Sequence, residues 1–201
     1  MMGQGMNAKP GRANILRGIV LICRGKATGL AEIGNGPDPF LSSLAPMIAF
    51  PLVGCVLMGM QGRVLDGITD FLASLVAILA PPVLSFSLAR RWGKEAGWFR
   101  FATAFNWCQW ILPVLGAVLV VLAGIMVQAG LPLRPIVIVL CCLLLAYAFW
   151  LHWFLARHAL ALTIGRAILL VLIINLLTIA LVAGPQLIAM AAGGASPLPP
   201  G

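Results

Sequence analysis

The sequence is poor in everything from which a water-facing surface is built. Only 9% of its 201 residues are charged, acidic residues number five, and there are two histidines and a single tyrosine. Soluble globular chains carry about 25% charged residues beside about 45–50% apolar ones. This composition therefore excludes a soluble multidomain enzyme, and its hydrophobicity excludes a disordered chain. The five cysteines are odd in number and form no Cys-x-x-Cys pair, which excludes a disulfide framework and a zinc site. His152 and His158 are too few for a multi-histidine metal or haem centre. The His-Glu-x-x-His and Gly-x-Ser-x-Gly motifs, the P-loop and the glycine-rich dinucleotide fingerprint are all missing. The chain is expected to be no enzyme and to hold no cofactor or metal.

What is abundant is hydrocarbon. Apolar residues make up 62% of the chain, with a mean hydropathy of +1.06. A helix rising about 1.5 Å per residue needs roughly 20 apolar residues to cross about 30 Å of lipid, where no backbone polar group can go unpaired. Residues 40–60, 68–89, 101–127, 136–156 and 167–190 meet that requirement. Short links join them, so successive spans are antiparallel neighbours. The expected fold is all-α, a polytopic integral membrane protein whose five transmembrane helices occupy 40–191. A basic segment, 1–39, precedes the bundle, and a disordered tail of small residues and proline, 192–201, follows it.

Within the first segment, residues 15–23 are too few to span, contain Arg17, and run into Arg24 and Lys26. They lack the uninterrupted apolar core and the cleavage site of a signal peptide. On a helical wheel Ile15, Ile19, Ile22 and Cys23 fall on one side and Arg17 and Arg24 on the other. Two readings stand open: a helix lying in the headgroup plane, and a short amphipathic helix packed on the bundle. Asn35-Gly36-Pro37-Asp38-Pro39 reads as a helix stop.

Charge sets the expected orientation, since cytoplasmic flanks are enriched in Lys and Arg. Lys9, Arg12, Arg17, Arg24 and Lys26 precede the first span; Arg90, Arg91, Lys94 and Arg100 lie in or beside the second link; Arg157 and Arg166 bound the fourth. Only Arg63 and Arg134 fall on the other side. The N-terminus is thus expected in the cytoplasm and the C-terminus outside. All six tryptophans lie near the basic side: Trp92, Trp98, Trp107, Trp110, Trp150 and Trp153. Trp107, Trp110, Trp150 and Trp153 read as interfacial anchors. A net charge of +8 spread along one membrane flank points to anionic lipid headgroups, at about 1 kcal/mol per residue, and not to nucleic acid. The candidate headgroup contacts are Lys9, Arg12, Arg17, Arg24, Lys26, Arg90, Arg91 and Lys94.

Polar groups at membrane depth cost free energy unless paired or wetted. Asn106, Gln109, His152 and Asn175, with Ser85 and Ser87, all fall in the half of the bilayer nearer the basic flank. They form a candidate polar cluster, either hydrogen-bonded between helices or lining a small cavity open to the cytoplasm. Asp66 and Asp70 near the other end can pair with Arg63 or form an external cation site. Pro46, Pro51, Pro81, Pro82, Pro113 and Pro185 are expected to kink their helices. Gly54, Gly59, Gly116 and Gly124 are expected to admit close helix approach.

The layout resembles the Yip-type (Ypt-interacting protein) membrane family, whose members carry a cytoplasmic N-terminal segment before five closely linked spans. The likeness covers residues 40–190 in architecture, and residues 15–52 are similar to the lead-in of bacterial members. It implies a link to small GTPases and vesicle traffic for eukaryotic members, an undefined membrane role for bacterial ones, and no functional residues. Ten Arg against three Lys, with much Ala, Gly and Pro, suit a GC-rich bacterial genome and hence the cytoplasmic (inner) membrane. The leading expectation is a protein that acts by interaction, organising lipid or other membrane proteins, or pairing as a homodimer. The alternative is a small carrier or permease component with a cytoplasm-facing polar cavity. Five spans do not divide into equal inverted repeats, the usual transporter plan.

Overall fold

The computed structural model describes residues 14–193. Lys9, Arg12 and residues 194–201 of the expected tail lie outside the described residues. Seven α-helices and two short 3-10 segments account for the described chain, with no strand among the described residues. Five helical stretches are long and apolar enough to cross a membrane.

The first helix, α1 (Ile15–Cys23), starts where the Asn14 side chain accepts from the Arg17 N–H, supplying an N-cap. A 3-10 turn, Ala27–Glu32, folds back on it. The two backbones approach so closely that a Cβ on Gly29 would stand 2.5 Å from the Gly18 carbonyl oxygen. Gly18, Ile19 and Ile22 of α1 are buried while Leu16 and Val20 are exposed. The helix therefore packs on the bundle by one face and leaves a second apolar face uncovered.

Helix α2 (Pro37–Met60) begins inside the segment read as a stop. Pro37 occupies the first helical position, where the missing N–H would have had no partner and the fixed φ suits a helix. α3 follows (Val64–Arg91). Both helices run unbroken through their internal prolines, Pro46 and Pro51 in α2, Pro81 and Pro82 in α3. The third span behaves differently. It consists of α4 (Trp98–Gln109) and α5 (Ile111–Gln128), interrupted at Trp110. Pro113 explains the interruption: its ring clashes with the carbonyl four residues back, on Gln109, which also loses its donor. Pro113 then sits in the first turn of α5, where proline is tolerated. α6 (Leu133–Ala159) and α7 (Ile164–Gly193) complete the chain.

The long helices stand in a row, α2 against α3, α3 against α7, α7 against α6, and α6 against α5. α4 fills the inside of the row at one end, touching α2, α3, α5 and α6, whereas α5 beyond Trp110 leans on α6. The ends of the row, α2 and α5, make no substantial contact. Buried side chains follow this plan. They cluster around α4, from Ile22 and Ile33 through Phe101, Phe105 and Cys108 to Leu151, Leu155, Leu170 and Ile174. α5 buries only Ala123, and Val120, Leu145 and Ile179 are exposed, as suits a surface solvated by lipid. The bundle is thus tightly filled at the end where the N-terminal segment, the α3–α4 link and the α6–α7 link meet, and open at the other.

Glycines mark close approaches, at positions other than those expected. Gly54, Gly59 and Gly124 face open space, and Gly116 meets only a Leu144 methyl. The tight sites are Gly29, Gly67 and Gly97, where an added Cβ would lie 2.9 Å or less from the backbone oxygen of Gly18, Cys55 or Ala159 respectively. Spacing along one helix does not tell which face meets a backbone, which is why the wrong glycines stood out in the sequence.

Candidate functional site

Helix α4 carries the centre of the packed end. Trp98, Phe101, Ala102, Thr103, Ala104, Phe105, Asn106 and Cys108 are all buried, which a span facing lipid would not require. Buried amides need partners. Asn106 finds one in α2, donating from Nδ2 to Ser43 Oγ at 3.0 Å, and Ser43 donates onward to the Phe40 carbonyl at 2.6 Å.

Gln109, three residues on, faces α6 instead. Its amide nitrogen lies 3.5 Å from His152 Nε2, and Asn175 Nδ2 of α7 lies 3.5 Å from His152 Nδ1. Asn175 Nδ2 also donates to the Val171 carbonyl at 2.8 Å, so its second N–H faces Nδ1. His152 thus presents one ring nitrogen to each amide, and its tautomer decides which of the two nitrogens donates and which accepts. The Phe105 ring closes the site 4.7 Å from the imidazole. Of the four residues expected to cluster, the structure unites Gln109, His152 and Asn175 and assigns Asn106 to a separate pair with Ser43. Residues three apart on a helix differ by about 60° in direction, enough to send the two amides to different neighbours.

Ser85 forms a further buried pair, accepting from Trp98 Nε1 at 3.0 Å and donating to the Pro82 carbonyl at 2.9 Å. Ser87 is exposed and bonds only within its own helix, to the Val83 carbonyl. Asn35 was hidden in a turn-like sequence, yet it ties the N-terminal segment to the start of α4: Nδ2 donates to the Ala96 carbonyl at 3.2 Å, and Oδ1 accepts from the Arg100 N–H at 3.1 Å. The Tyr147 hydroxyl donates to the Cys23 carbonyl at 3.1 Å, anchoring the end of α1 on α6. The Cys23 thiol is shifted below its ordinary range chiefly by hydrogen bonding with the Cys108 thiol, against the effect of its own partial burial.

The basic side chains gather at this end of the bundle. Arg17, Arg24, Lys26, Arg90 and Arg91 are exposed, and Lys94 is half-buried. Among the described residues Arg17 has only a loose partner, Glu32, at 3.9 Å. Arg90 and Arg91 occupy the last turn of α3, where cations offset the helix dipole. The Arg166 guanidinium lies over the Trp92 ring, 5.9 Å from its centroid, and Arg157 donates to the Leu162 carbonyl. At the opposite end Arg63 pairs with Asp66 at 2.9 Å. That contact engages Asp66, and among the described residues no group of three or more metal-ligating side chains converges.

Trp107, Trp110, Trp150 and Trp153 sit on the flanks of the packed end. Trp150 and Trp153 border an apolar groove between α6 and α7 of about 380 Å³. Trp107 and Trp110 border another, of about 640 Å³, between α1, α2 and the α4–α5 junction. Neither groove is lined by Asn106, Gln109, His152 or Asn175. This arrangement can hold apolar chains at its surface, and it encloses its polar groups against one another. No protein-family model matches the chain, and no curated protein or solved structure does either.

Proposed function

We propose that this chain is a bacterial inner-membrane protein, N-terminus in the cytoplasm and C-terminus outside, that acts by interaction and not by catalysis. Its basic end would organise anionic lipid or other membrane proteins. The observation that carries this reading is the pairing of the polar groups at membrane depth. Asn106 is satisfied by Ser43, and His152 stands between Gln109 and Asn175. Side chains committed to each other are not free to bind a solute, and the bordering grooves are apolar, so the carrier reading draws no support from them. The segregation of Arg17, Arg24, Lys26, Arg90, Arg91 and Lys94 at one end supports the orientation through the positive-inside tendency. Membership of the Yip-type family belongs to the same proposal, on span number and the basic lead-in.

Isolating the full chain from its native membrane in lipid nanodiscs, then identifying what accompanies it, tests the reading. Enrichment of anionic lipids or of specific membrane proteins over the bulk membrane is the expected result. A chain that arrives alone and drives saturable uptake of a small solute in liposomes would overturn it.

A further inference from the structure

The second apolar face of α1 opens onto the larger groove. Leu16 and Val20 form one wall, Pro46 and Phe50 of α2 the next, and Trp107 and Trp110 the far side. Beyond Trp110, α5 packs on α6 and makes no substantial contact with α2, so α2 is uncovered beside the junction. It runs from α1 along Pro46 and Phe50 of α2 to Val114 of α5.

We propose that this groove is a binding site for one anionic phospholipid, with an acyl chain along it and the phosphate on Arg17 and Arg24. The proposal rests on the interaction reading above and narrows it to a single lipid in a single place. Two observations carry it. The groove is almost wholly apolar and about 640 Å³ in volume, the chemistry of an acyl chain. Next, Arg17 of α1 and Arg24, the residue that caps its C-terminus, are seven positions apart, which at 3.6 residues per turn puts both on the side of the helix next to Val20. Both are exposed, and Arg24 has no acidic partner among the described residues.

Native mass spectrometry of the full chain, titrated with phosphatidylglycerol or phosphatidylcholine of matched acyl chains, tests the site. One phosphatidylglycerol is expected to stay bound. Two arginines at about 1 kcal/mol each correspond to roughly a 30-fold preference over phosphatidylcholine. R17Q/R24Q is expected to erase that preference. V20W, which fills the groove from the exposed side of α1, is expected to abolish retention of either lipid, while V120W on the lipid-facing surface of α5 leaves it intact. V114W, which fills the groove from α5 and is likewise expected to abolish retention, provides a second variant should V20W fail to fold.

R90Q/R91Q/K94Q separates this site from the broader reading. It is expected to weaken attraction to anionic bilayers, in whichever orientation it inserts, and to keep the tightly bound lipid. If V20W and V114W retain lipid as the native chain does, or the two headgroups bind equally, the groove proposal is overturned and the broader reading stands. A mass showing two copies of the chain that V20W separates would also overturn it, giving the groove to a second protomer. If native-membrane isolation recovers no enriched lipid or protein partner, the broader reading fails as well.

Discussion

Asn106 donates to the hydroxyl of Ser43 across 3.0 Å and 63 positions of sequence. The bond joins the centre of α4 to the first turns of α2, and it supplies an acceptor for an amide that lipid could not solvate.

Removing one member of this pair is expected to cost more than the bond is worth. Ser43→Ala leaves the Asn106 amide unpaired and should destabilise the bundle by about 1–3 kcal/mol. A double-mutant cycle with Asn106→Ala, read by thermal unfolding in detergent, should return a coupling of about 0.6–2 kcal/mol. A coupling indistinguishable from zero would mean that the contact contributes nothing.

Ser85 and Ser87 give a matched comparison. Ser85→Ala strands the buried Trp98 indole N–H and should lower stability by about 1–3 kcal/mol. Ser87→Ala, on an exposed face, should change it by about 0.5 kcal/mol or less. The Trp98 indole proton signal should move in the first variant and not in the second.

Two glycine substitutions are expected to act in opposite directions. Gly29→Ala drives a Cβ to 2.5 Å from the Gly18 carbonyl oxygen, whereas Gly54→Ala points into open space. The first should cost about 1–3 kcal/mol by overpacking and speed tryptic cleavage at Arg17 and Arg24. The second should gain about 0.5–1 kcal/mol from helix propensity. Equal cleavage rates would show that α1 is not held by its contact with the 3-10 turn.

Neutralising Arg90, Arg91 and Lys94 together removes the basic cluster between α3 and α4. Reporter fusions to the N-terminus and to residue 193 should then show a mixed orientation, where the native chain shows one. Unchanged sidedness would assign the orientation to the N-terminal segment alone.

The number of spans and their approximate ends were legible from hydropathy, because crossing lipid demands uninterrupted apolar sequence. So was the gathering of polar residues toward the basic end: Gln109, His152 and Asn175 do meet. What hydropathy could not show is direction. Asn106 and Gln109 lie on one helix yet serve different neighbours, and Ser43, an ordinary residue near a helix start, drew no notice until its partner was in place. Asn35 was masked by the glycine and prolines that follow it. The break at Trp110 was half visible in Pro113, but five other prolines, Pro185 of α7 among them, caused no break in their helices. α2 and α3 absorb theirs within continuous helices, while at Pro113 the chain resolves the clash by starting a new one.

The unequal filling of the bundle gives its two leaflets different mechanical characters. Around α4 the helices are cross-tied by side-chain bonds and backbone contacts, so that region holds its shape. Beyond Trp110 the helix ends touch only their immediate neighbours and can splay or tilt when the surrounding bilayer thins or thickens. A change in bilayer thickness is therefore expected to be taken up first at the loosely packed end, away from the positively charged one.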